Sequence, residues 1–152
     1  MKKTNSLVAA TLFVALSVAA PAAHAEVPEV PVTLSGNSSI AGDALTITGH
    51  TSIPDGAWLI FAAYSVEHPL VRTRDYMLVK DGQFSAQVDI SGWPSGEIET
   101  DIHFQTMLPD HEQPAIVMQK YGAKGERMSG DTVVQEGESY RAAVIEVRSV
   151  KP

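Results

Sequence analysis

Apolar and polar residues alternate with period two through most of this chain, the pattern of strands with one buried face. In Gln83 to Ile90, Phe84, Ala86, Val88 and Ile90 alternate with Ser85, Gln87 and Asp89. Lys80-Asp81-Gly82-Gln83 precedes that run, and Asp-Gly between alternating segments predicts a type I′ turn joining Val71–Val79 to Gln83–Ile90 as a hairpin. Glu97 to Met107 repeats the pattern, with Ile98, Thr100, Ile102 and Phe104 on one side and Glu97, Glu99, Asp101 and His103 on the other. Ala44 to Thr51 points Leu45 and Ile47 inward. Trp58 to Tyr64 is continuously apolar, as expected of a central strand covered on both faces.

Other segments punctuate these strands. Val32 to Leu34 starts an edge strand, while Gly36 to Ser39, Ile53 to Gly56 and Ser91 to Gly96 read as turns. Thr132 to Gln135 and Tyr140 to Val150 close the chain as strands, with Ala143, Ile145 and Val147 on one side. Residues 108–131 differ in kind, being rich in Pro and Gly. Pro114 at a first helical position and Gly122 just past Tyr121 bound one short helix. Strands at this spacing predict an all-β fold, an antiparallel sandwich of about seven or eight strands with that one helix.

The first 25 residues read as an address. Lys2 and Lys3 precede the apolar run Leu7 to Ala20, and Ala23-His24-Ala25 has the form of a cleavage site, so residues 1–25 are expected to be a signal peptide. The remainder, 26–152, is expected to be a single domain beginning at Glu26, long enough to bury a core without crosslinks. The chain has no cysteine. This suits an exported protein without lipid anchor or transmembrane segment, periplasmic in preference to secreted. The leader holds two of the 11 basic residues and none of the 18 acidic ones, which leaves nine against 18, a net charge of −9. That balance argues against nucleic acid, which recruits clustered Lys and Arg.

Gly49, Ile53-Pro54-Asp55-Gly56, Lys80-Asp81-Gly82-Gln83-Phe84, the Gly92 to Gly96 turn, Tyr121-Gly122 and Gly130 together resemble bacterial exported immunoglobulin-like β-sandwich domains. The resemblance runs from Leu34 to Val134. It implies an immunoglobulin-like fold; members of the group are mostly uncharacterised, and it carries over no site.

Candidate chemistry is sparse. Glu97, Glu99, Asp101 and His103 project from one side of a strand and could approach a metal ion, although an acidic solvent face is the ordinary meaning of such a row. His103, Met107 and His111 combine imidazole with thioether, a set suited to copper. On a strand His103 and Met107 stand about 13 Å apart, so a fold-back would be needed, and Met77, Met107, Met118 and Met128 are otherwise core filler. No G-x-S-x-G elbow or Ser-x-x-Lys occurs. Gly125 to Gly130 has the spacing of half a phosphate loop, but Asp131 stands where its Lys should be. Trp58 and Trp93 could stack on sugars, yet core and turn bracing suit them better. The expected function is a non-enzymatic binding or accessory protein without a cofactor. Its partner would be another protein or a cell-envelope component, met through the 109–131 segment with Tyr121, Lys124, Glu126 and Arg127 as exposed contacts. The alternatives are a periplasmic copper-binding protein and an inhibitor or immunity protein whose acidic surface masks a basic enzyme.

Overall fold

The alternating runs become strands, and their apolar sides turn to one core. The computed structural model describes residues 27–152, so the expected leader and the expected start at Glu26 lie outside the described residues. In chain order the elements are β1 (Val30–Pro31), β2 (Leu34–Ala41), β3 (Ala44–Thr51), β4 (Trp58–Ser65), β5 (Arg72–Leu78), β6 (Gln83–Asp89), β7 (Gly96–Phe104), α1 (Ala115–Tyr121), β8 (Met128–Ser129), β9 (Val133–Glu136) and β10 (Tyr140–Lys151). Three strands form one sheet in the order β2-β3-β6, and five form the other in the order β5-β4-β7-β10-β9, with every neighbouring pair antiparallel. The chain is an all-β sandwich of eight strands. β1 and β8 add a short parallel pair.

The core between the sheets takes Leu45 and Ile47 from β3, Leu59, Phe61 and Ala63 from β4, Phe84 from β6, and Ile98, Ile102 and Phe104 from β7, all buried as their alternation predicts. The chain crosses from one sheet to the other after β3, β5 and β6, the Greek-key wiring that lets successive strands share a single core. The helix lies where Pro114 and Gly122 place it. No helix among the described residues is long and apolar enough to cross a membrane.

Three local expectations are corrected. The Asp81-Gly82 turn forms as predicted, with φ of 52° and 69°, and Lys80 bridges Gln83 across it. The strands it joins do not pair, because β5 lies on β4 and β6 on β3 in the opposite sheet. Before the turn, Val79 exchanges backbone hydrogen bonds with Gly56 and Ala57; beyond it, the Thr51 N–H donates to the Gly82 carbonyl. The two arms are thus drawn to different sheets. Gly36 to Ser39 is not a turn but the middle of β2, where Asn37 accepts a hydrogen bond from the Thr48 hydroxyl across the strand pair. Trp58 to Tyr64 is central, but its faces differ: Leu59, Phe61 and Ala63 are buried in the core, whereas on the other face Ile60 is buried and Trp58, Ala62 and Tyr64 are partly exposed.

Candidate functional site

Beyond β7 the chain must leave the sheet, since Pro109 cannot continue its ladder. The returning segment is fastened by one side chain. Gln113 is buried, accepts the Trp58 N–H at 2.9 Å and donates to the carbonyls of Trp58 and Gln105 at 2.9 and 2.7 Å. Its amide therefore takes the place of a strand partner at the start of β4. Gln113→Ala is expected to leave three backbone groups unpaired and cost about 1–3 kcal/mol, read as a lower midpoint in urea.

The pinned segment carries His111 onto two aromatic rings. The imidazole centroid lies 4.0 Å from that of Tyr76 and 4.6 Å from that of Trp58, with Trp58 and Tyr76 edge-on to each other at 6.4 Å. Tyr76 also donates its hydroxyl to Asp110 at 3.2 Å, which ties the loop to β5. His111 Nδ1 is buried without a hydrogen-bond partner. In front of this stack is an open cavity of about 480 Å³ whose walls include Met107, Leu108, His111, Glu112 and Met118. Met107 and Met118 are 49% and 45% exposed, while Met77 and Met128 are 2% and 0% exposed. Two of the four methionines among the described residues fill the core. The other two line a concavity.

The expected copper set does not assemble. His103 lies opposite Ile60 on β4, and Ile60 lies opposite Tyr76 on β5, so a whole strand separates His103 from the ring that carries His111, about 9–10 Å across the sheet. His103 Nδ1 instead faces Glu136 at 3.8 Å. Met107 and His111 share the cavity without it.

The row Glu97, Glu99, Asp101 and His103 does lie on the outer face of the five-stranded sheet. Glu99, Asp101 and Glu146 present carboxylate oxygens within 4.8 Å of one another. A cation is already supplied to them by the chain itself: Arg148 reaches Glu97, Glu99 and Glu146 at 3.1, 2.6 and 2.7 Å. Tyr64 donates its hydroxyl to the second oxygen of Glu99 and is pushed up to about 12, chiefly by that hydrogen bond. Asp101 is left without a basic partner of this kind. Desolvation raises its carboxyl above the usual range, the neighbouring carboxylates add to the rise, and His103 opposes it. A raised carboxyl favours the folded state below pH 3.8, the ordinary value, and that advantage is lost as pH climbs through the folded value. Asp101→Asn is therefore expected to raise the thermal midpoint at neutral pH and to leave it unchanged in acid, as followed by circular dichroism.

No protein-family model matches this chain, and no curated protein is similar to it. The site is read from its own residues.

The segment expected to carry exposed contacts is largely built into the fold. Tyr121 is fully buried, edge-on to Phe104 at 5.5 Å, because the last turn of α1 directs it into the core beside Val117. It is no surface contact. Glu126 accepts the Lys124 N–H at 2.8 Å, and hydrogen bonds from the backbone N–H groups of Glu126 and Lys124 hold its carboxyl below the ordinary range. Arg127 donates to the carbonyl of Gln119, near the end of α1. Lys124 and Glu126 remain exposed, the Lys124 ammonium 5.6 Å from the centre of the Tyr140 ring. Replacing the whole 109–131 segment with a short turn would remove Val117, Tyr121 and Met128 from the core, so it is not a detachable loop. Sequence reasoning does not single out Gln113, and it expects Met118, which is 45% exposed, as core filler. Their only signal was position: Gln113 directly before the helix-starting Pro114, and Met118 beside the inward Val117.

Proposed function

We propose that this chain is an exported, non-enzymatic binding protein whose sandwich holds a small concave contact surface rigidly at one end. The cavity bordered by Met107, His111 and Met118 carries this reading. Half-exposed apolar side chains grouped around a concavity are characteristic of contact sites, since isolated globular surfaces rarely gather them. The three hydrogen bonds of Gln113 and the aromatic stack beneath His111 hold the surface in shape before anything binds, which lowers the ordering cost of association. The leader pattern at residues 1–25 supports export, and the acidic balance of 26–152 favours a protein or cell-envelope component over nucleic acid.

Two measurements test the proposal. Mass spectrometry of the chain recovered from a periplasmic extract should give an N-terminus at Glu26; recovery only as the full-length chain from the cytosol would end the export reading. Crosslinking in intact cells should yield an adduct that the Met107→Asp/Met118→Asp variant loses while keeping its thermal midpoint. An adduct indifferent to both changes would place the contact elsewhere.

A further inference from the structure

We propose that the cavity between the 106–113 segment and α1 is a site for a soft monovalent metal ion, Cu(I), with the thioethers of Met107 and Met118 and the imidazole of His111 as its ligands. This rests on the concave contact surface just proposed and assigns it a metal ion in place of a macromolecular partner. The set differs from the one read along the chain, because it gains Met118 and loses His103.

Three independent observations converge on it. The first is the division among the methionines. Methionine in contact with solvent gains nothing from core packing, yet Met107 and Met118 are both about half exposed and line the same cavity, while Met77 and Met128 are enclosed. Two flexible thioethers that border one concavity can swing towards a shared point, since each has three rotatable side-chain bonds. The second is His111. Its ring is held by Tyr76 and Trp58, and Nδ1 is the sole imidazole nitrogen among the described residues that is buried without a partner. His111 borders the cavity as a residue, and its side chain makes no hydrogen bond among the described residues, so coordination by the ring would cost none. The third is the donor chemistry. Thioether sulfur with imidazole selects Cu(I) over hard cations, which prefer oxygen. The chain has no cysteine to compete for the ion. Trp58 does not border the cavity, but at 4.6 Å from His111 its fluorescence can report an ion held by that ring.

The competing meaning of exposed methionines is an adaptable protein-docking surface. The two can be separated with residues 26–152 and Ag(I), a redox-inert probe with the same ligand preference, alongside Cu(I) under anaerobic conditions. Binding is followed by quenching of Trp58 fluorescence, with Trp58→Phe to assign the signal, and affinity by competition with a chelator. One equivalent should bind. Met107→Leu/Met118→Leu conserves volume and so should keep the fold; it should weaken binding by at least about tenfold, as even outer-shell changes do at metal sites. His111→Phe, which keeps a ring on the aromatic stack, should do the same. His103→Ala should bind as the unaltered chain does, and Zn(II) and Ca(II) should not displace Ag(I). The inference is overturned if the double leucine variant binds Ag(I) normally, if His103→Ala abolishes binding, or if no equivalent is bound. In the last case, loss of the crosslinked adduct in Met107→Asp/Met118→Asp would leave a docking surface standing, and its persistence would remove both readings.

Discussion

Gly49→Val is expected to cost about 3 kcal/mol or more, and even Gly49→Ala should be severe. Gly49 lies in the middle of β3, paired with Gly36 on β2 and with Phe84 on β6. An added Cβ would meet Phe84 Cζ at 2.1 Å and the Ser35 carbonyl oxygen at 2.2 Å. The Phe84 ring covers the glycine and is itself 3% exposed, so the absent side chain is replaced by a neighbour's, as aromatic residues do beside strand glycines. Moving the ring would relieve one clash. The other is with backbone, and relieving it would part β2 from β3. Gly92→Ala is the matched control, because nothing lies within 4 Å of its Cβ position and its effect should stay within about 1 kcal/mol. Urea denaturation of both variants measures the contrast; equal midpoints would show that β3 and Phe84 are not packed as described.

Tyr121 separates a large effect from a small one at a single position. Tyr121→Ala removes a fully buried ring from its edge-on contact with Phe104 and should cost about 3–5 kcal/mol. Tyr121→Phe should cost little or even stabilise, since its hydroxyl is buried without a partner and removing it relieves a desolvated polar group. The same burial pushes the Tyr121 phenol up to about 12. The unfolded phenol ionises near its ordinary value of 10.0, so between those values the unfolded chain has released a proton that the folded chain retains. Stability present below pH 10 is then lost as pH rises towards 12. Tyr121→Phe should flatten this alkaline decline without abolishing it, because Tyr64 is raised to a similar value by its bond to Glu99. An unchanged alkaline slope in Tyr121→Phe would show that the phenol is not enclosed.

The limits of local reading are clearest at Asp81-Gly82. Turn chemistry depends on two residues tolerating positive φ, a property they carry anywhere, so the turn was legible. Whether its arms pair depends on which strand edges stand open nearby. Here β4 and β3 claim them for opposite sheets. Gly36 to Ser39 shows the converse, turn-forming residues drawn into β2 by the ladder of β3. At the candidate site His111 and Met107 were visible as chemistry. The separation of His111 from His103 was not, because β4 lies between His103 and the Tyr76 ring that His111 covers.

Alternation along single strands was enough to establish the all-β sandwich, the buried ranks of Leu45, Ile47, Phe84, Ile102 and Phe104, and the ends of α1, since each follows from side-chain direction within a few residues. Folding in three dimensions alone determined which sheet received β5 and β6, that Tyr121 faces inward, and that Met107 and Met118 remain open to solvent. Those outcomes depend on partners far away along the chain, and a residue type carries no record of the neighbour that long-range packing will bring to it.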